Sequence, residues 1–263
     1  MAGIGAMGDL AKINTNIGAL NTYLNLKSTN KRISAYQEHL GTGRRINRAA
    51  DSPANYVIVR RMTAKENALI QAQENLGDAM AAMQEADSAL AQIEDIIINM
   101  KELAQQAQSD TIGMSEKEAI EFEINQYLEE IDDITDDTNW QGVQLLSGDL
   151  NWTLQVGEKS SDTLNFSLSS SETETRSFST ADLGLIDLRA TSPEEAASTW
   201  DKLAVAEESV LRCEERIGST INRMRLKEDA LASAQANTAA AMSRIQDTDI
   251  AQEQMLLVKL MNR

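Results

Sequence analysis

Apolar residues recur at one seven-residue phase through Met62, Leu69, Leu76, Met83, Leu90, Ile97 and Ala104. They do so again through Leu203, Val210, Ile217, Met224, Leu231, Thr238 and Ile245. A strict seven-residue repeat keeps one stripe of a helix against a partner, which is the coiled-coil condition. Two such stripes toward opposite ends of a chain meet only if it runs out, turns and comes back. The pattern predicts a mainly α fold, an elongated antiparallel coiled coil or helical bundle. Rods of this kind usually do mechanical or assembly work.

The composition supports a thin bundle. Among 263 residues there are three Trp, four Tyr and three Phe, too few for the thick core of a globular enzyme of this size. The two prolines, Pro53 and Pro193, each stand at the start of a long helical pattern, where proline is tolerated. A formal charge of −17 leaves no basic stripe to offset phosphate repulsion, which argues against nucleic acid as a partner. No apolar run is long enough to span a bilayer, so no membrane partner is expected. The N-terminus has no basic segment followed by an apolar run and does not read as a Sec-type signal peptide. The single cysteine, Cys213, lies on the apolar seam of the last long helix and reads as a buried packing residue.

Along the chain, Ile13, Ile17, Leu20 and Leu24 give a helical stripe that resumes with a phase shift at Leu26, Ile33, Tyr36 and Leu40. Gly41-Thr-Gly43 should stop this helix. A connector with Arg44, Arg45 and Arg48 leads to Asp51 or Ser52 as the cap of a second helix, from about 54 to 106. That helix carries a second seam of Ala72, Ala79, Ala86, Ile93, Met100 and Ala107, small enough for close approach. After a break at Ser109 to Gly113, Ser115 and Glu118 suggest a capping box for a third helix. Its stripe is Ile120, Ile124, Tyr127, Ile131 and Ile134, and it ends near Asp137. Residues 139–191 change period. Thr153 to Gly157 and Thr163 to Leu168 alternate as a small β-hairpin, followed by an exposed Ser/Thr/Glu-rich loop over 169–180. Ser192, Pro193 and Glu195 mark the start of a fourth helix running to about Gln246, about 80 Å long and a natural antiparallel partner of the second. A last apolar segment contains Met255, Leu256, Leu257, Leu260 and Met261.

Signals for chemistry are weak. Gly3, Gly5 and Gly8 match a dinucleotide fingerprint formally but have no preceding strand to aim them. Asp132, Asp133, Asp136 and Asp137 could gather a hard cation, but such clusters on an acidic helix normally face solvent. His39 is the only histidine and sits at a helix end, where it reads as a surface or interface residue. No zinc spacing exists. Asn151-Trp-Thr153 and Asn165-Phe-Ser167 are glycosylation sequons by pattern only. No catalytic residue, cofactor or metal is expected, and enzyme is the losing class.

The run Ile13-Asn-Thr-Asn-Ile-Gly-Ala-Leu-Asn21, then Leu40-Gly-Thr-Gly-Arg-Arg-Ile-Asn47, Ala50-Asp51 and Arg61-Met-Thr-Ala64, closely resembles bacterial flagellin. Met100-Lys-Glu-Leu-Ala104, Glu129-Glu-Ile-Asp132, Asn139-Trp-Gln-Gly142, Thr153-Leu-Gln-Val-Gly157, Ser219-Thr-Ile-Asn222 and Ser243-Arg-Ile-Gln-Asp-Thr-Asp249 continue the match in order over nearly the whole chain.

The resemblance implies a subunit exported through the flagellar type III apparatus, polymerising with itself into a hollow extracellular filament for swimming. Cap and junction proteins would be its further partners. It implies an inner coiled-coil domain of residues 1–40 with 250–263, holding Ile13, Ile17, Leu20, Leu24, Leu256 and Leu260. It implies a spoke connector over 41–54, with Gly41, Gly43, Arg44, Ile46, Asn47 and Asp51, and a rod over 55–249. The family's large outer domains have no counterpart between Asn139 and Thr191, which implies a comparatively smooth filament.

Two departures stand out. Family members continue beyond the position matching Arg263 with a further helix, to which the export chaperone binds. Here a first helix of about 42 Å faces a return segment of at most about 27 Å. The second departure lies on the surface matching the innate-immune receptor epitope, at Asn99, Lys101, Leu103 and Glu130. Asn99 replaces the family's Arg there, and strong recognition is not expected. The rivals to a filament subunit are a hook–filament junction protein and a coiled-coil interaction module that does not polymerise.

Overall fold

The computed structural model describes residues 16–148, 150–168 and 177–262. Five helices and two strand pairs occur in chain order among them: α1 (Ile17–Thr42), α2 (Pro53–Ala107), α3 (Met114–Asp137), β1 (Asn139–Trp140), β2 (Val143–Gln144), β3 (Leu150–Gln155), β4 (Thr163–Leu168), α4 (Pro193–Gln246) and α5 (Ile250–Met261). The described residues divide into two compact units, one within Met1–Glu66 and Ala236–Arg263, the other within Asn67–Gln235. No described helix is long and apolar enough to cross a membrane. The glycine motif at Gly3 to Gly8, Ile13, loop residues 169–176 and Arg263 lie outside the described residues.

In the Asn67–Gln235 unit the heptad reading holds at nearly every position. Leu69, Leu76, Met83, Leu90, Ile97 and Ala104 are buried, as is every member of the second seam from Ala72 to Ala107. On α4, Leu203, Val210, Ile217, Met224 and Leu231 are buried, and so is Cys213. Each large side chain removed from water in this way contributes about 1.5–3 kcal/mol. Lys101 of α2 meets Glu207 of α4, while Asp87 and Glu94 lie beside Glu214, so the two helices run antiparallel here. Burial raises the Glu214 carboxyl above its ordinary value, and the charges of Glu94 and Asp87 push in the same direction. Burial likewise pushes the Cys213 thiol up to about 12.

α3 completes the core through Ile120, Ile124 and Ile131. Its start differs from the expected Ser115/Glu118 box. Gly113, in an extended conformation, is the cap, and Glu116 at the third helical position accepts from its N–H at 3.4 Å. The Gly113 carbonyl takes the first helical N–H groups, so the helix begins before Ser115 can act.

The expected hairpin forms as β3 and β4, antiparallel, with Leu150 opposite Leu168 and Gln155 opposite Thr163. Gly157 is required beside it, since an added Cβ would stand 2.5 Å from Asp162 Cβ. A second, two-residue hairpin, β1 with β2, was not expected. Its turn residues, Gln141 and Gly142, both have positive φ (51° and 84°), as a type I′ turn demands.

The segment read as an exposed loop to Thr180 is anchored at its described end. Phe178 is fully buried, and Thr180 donates through its backbone N–H and its hydroxyl to Asp132, both at 2.8 Å. Asp132 thus has a structural partner rather than a purely solvated role. At α4 the expected capping box forms, Ser192 Oγ accepting from the Glu195 N–H and Glu195 Oε2 accepting from the Ser192 N–H, both at 3.2 Å.

Candidate functional site

The other unit holds most of the residues singled out in the sequence. Asn16 caps α1 by accepting from the Ala19 N–H at 3.0 Å. The helix runs through Gly41 and ends at Thr42, because Gly43 takes the left-handed conformation (φ 68°) that breaks it. Gly43, not Gly41, is therefore the stop.

α5 opens with Asp249 as cap, accepting from the Ala251 and Gln252 N–H groups. It packs antiparallel on the end of α1. The Thr248 N–H donates to the Gly43 carbonyl at 3.1 Å, and His39 Nδ1 lies 3.3 Å from Glu253 Oε1. Thr248 Oγ1 also donates to Glu253 at 3.1 Å. His39 is thus an interface residue between two helices of one chain, with Tyr36 edge-on to its ring.

At 1.5 Å per residue, α1 is about 39 Å long and α5 about 18 Å. α5 therefore lies along the C-terminal half of α1 only. Leu260 is buried and Leu256 half-buried. Ile17, Leu20 and Leu24 stay 47%, 55% and 52% exposed, with Tyr23 and Leu26 beside them. The structure does not bring these three against Leu256 and Leu260. Ile250, Met255, Val258 and Met261 add an exposed apolar edge on α5.

The connector between α1 and α2 is tightly held. The Arg45 N–H donates to the Gln246 carbonyl at 2.7 Å and its guanidinium to the Ile245 carbonyl at 2.9 Å. Arg44 forms a β-bridge with Asp247 through the backbone. Ile46 is buried. Asn47 Nδ2 donates to the Arg44 carbonyl at 3.0 Å. Asp51 Oδ2 accepts from the N–H groups of Arg48 (2.8 Å) and Asn47 (3.0 Å). Those two bonds, Arg48 first, hold the Asp51 carboxyl below its ordinary value. Asp51 therefore shapes the connector, and the first hydrogen bond of α2 goes from the Tyr56 N–H to the Ser52 carbonyl. Arg48 grips Glu38 of α1 with contacts of 2.7 and 2.8 Å. Of the three connector arginines, only Arg44 stood among the spoke residues that the resemblance implies, yet Arg45 and Arg48 reach partners 200 and 10 residues away.

Of the residues matching the receptor epitope, Asn99 and Glu130 are exposed and Leu103 packs partly on the core. Lys101 is engaged elsewhere, donating to Glu207 at 2.6 Å and lying 4.9 Å from the centre of the Trp200 ring.

A family model, "Bacterial flagellin N-terminal helical region", matches residues 13–151. A flagellin of Salmonella muenchen is 35% identical over 193 residues, covering 72% of this chain and 37% of that protein. One of Salmonella paratyphi A is 34% identical over 163 residues, covering 62% of this chain and 33% of that one. The match thus spans about a third of these relatives' length. Among solved structures, Bacillus cereus flagellin aligns with a TM-score of 0.53 at 25% identity, covering 64% of this chain and 94% of that one. A putative flagellar hook-associated protein from Vibrio parahaemolyticus aligns with a TM-score of 0.64 at 11% identity, over 75% of this chain and all of that one, a likeness of fold.

Proposed function

The chain belongs to the bacterial flagellin family, and from that premise we propose that it is the self-assembling subunit of an extracellular flagellar filament used for swimming. Flagellins are structural proteins, not enzymes. On this reading the subunit leaves the cell through the flagellar type III apparatus and meets cap and junction proteins at the growing structure. Residues 1–40 with 250–263 act as the inner domain, 41–54 as the connector and 55–249 as the outer part.

One observation carries the proposal. Ile17, Leu20 and Leu24 form an exposed apolar stripe on a helix that has no buried residue of its own. A stripe of that kind, at the end of α1 away from α5, is what a neighbouring copy would cover. The engagement of Lys101 by Glu207 and Trp200, with Asn99 alongside, supports weak recognition at the receptor-facing surface.

Material sheared from cells, viewed by negative-stain microscopy and identified by peptide mass, should consist of long filaments built from this chain. Finding it only at hook ends, or only as soluble monomer under polymerising conditions, would overturn the proposal.

A further inference from the structure

Two of the three tryptophans, Trp140 beside β2 and Trp152 on β3, line a single depression in the Asn67–Gln235 unit, against the flank of α2. Both are partly buried, packed on the core and still in contact with the open space. The volume, about 450 Å³, is within the range of small-molecule sites. We propose that this depression binds a neutral carbohydrate, a pyranose ring or a short glycan end.

The chemistry of the lining selects that class. Asp78, Gln141, Asn151 and Thr153 border the space and are all exposed, Asn151 and Thr153 on the opposite face of β3 from Trp152. Asn75 and Gln155, by contrast, are tied into the floor: Asn75 Nδ2 donates to the Gln155 carbonyl at 3.3 Å, and Gln155 Nε2 to the Gly157 carbonyl at 2.9 Å. The site therefore combines a braced base, two aromatic surfaces and exposed polar residues at its rim.

A pyranose offers matching surfaces, a C–H face for an indole and a ring of hydroxyls for amides and a carboxylate. No lysine or arginine lines the space, so a phosphate or other anion would meet Asp78 with nothing to balance it.

The test uses the full chain as monomer, followed by tryptophan emission and saturation-transfer NMR. The probes are methyl β-galactoside, methyl α-mannoside and N-acetylglucosamine, with adenosine as the arm for a stacked nucleobase. At least one sugar should give a saturable emission change with a Kd of about 1 mM or tighter. Asp78→Ala and Trp152→Ala should each weaken it tenfold or more, and Trp200→Phe should leave it unchanged. Asp78 is exposed, so its replacement reads the site even if Trp152→Ala impairs folding. No saturable response to any sugar, a response to adenosine alone, or a sugar response indifferent to Asp78 and Trp152 would each overturn the proposal. So would loss of filament assembly in Asp78→Ala without any sugar binding by the parent chain, which would mark the depression as a contact between subunits.

Discussion

Asp51 and Glu214 show how one residue type serves opposite ends at different places in this chain. The Asp51 carboxylate gathers two backbone N–H groups of the connector, which favours its charged form in the folded state. Its folded pKa lies below the ordinary 3.8, so its stabilising contribution is present above that value and is lost as pH falls through the folded one. Asp51→Ala should reduce stability at neutral pH by about 1 kcal/mol, the usual net worth of a side-chain hydrogen bond to the backbone. Thermal melts should show the deficit shrinking in acid. Glu214 has the reverse sign. Its folded pKa is above the ordinary 4.5, so its penalty is full above the folded value and vanishes as pH drops below the unfolded one. Glu214→Gln should raise the melting temperature at neutral pH and not in acid. The gain is on the order of a few tenths of a kcal/mol, because solvent screens a half-exposed group. Cys213 offers a third check: with its thiol pushed up to about 12 and buried, it should react with a maleimide at neutral pH only after denaturant is added.

At the scale of elements, the seven-residue repeat makes a sharp distinction between faces. Leu90→Ala, in the buried seam of α2, should cost about 2–5 kcal/mol in denaturant unfolding. Leu211→Ala, 44% exposed on α4, should leave monomer stability within about 0.5 kcal/mol. Periodicity made both helices and their seams legible, because a period repeats its message over many residues. Strand alternation did the same, on a smaller sample, for β3 and β4. Features that depend on a single backbone choice were not legible. β1 and β2 have two residues each, and a Gln-Gly turn lacks the usual Asn or Asp. The start of α3 was missed because extended Gly113 caps it through its backbone rather than a side chain. The deepest misreading was at Phe178, hidden in a Ser/Thr-rich stretch. Its backbone is held by the Leu146 carbonyl and the Thr135 hydroxyl, and Thr180 next to it by Asp132, all far away in sequence. The connector falls between these cases. Its glycine, its arginines and Asp51 all drew attention, yet Arg45 and Arg48 act through contacts that no local pattern shows.

For the whole molecule, the decisive quantity is the apolar surface that stays exposed among the described residues. α1 has helical spacing good enough to fold beside α5, but α5 reaches only its C-terminal half. Ile17, Leu20 and Leu24 therefore contribute little to the stability of an isolated subunit and a great deal to any surface laid over them. This separates folding from assembly experimentally. The double substitution Leu20→Glu with Leu24→Glu places two charges on that stripe without touching a buried residue or the Arg45, Arg48 and Asp51 contacts. The purified variant should melt within about 1 kcal/mol of the parent, since exposed positions rarely matter more. Mixed with preformed filament seeds, it should fail to elongate them, because carboxylates would have to be buried unpaired against a neighbour. A variant that elongates seeds at the parent rate would show that this stripe is not the assembly surface.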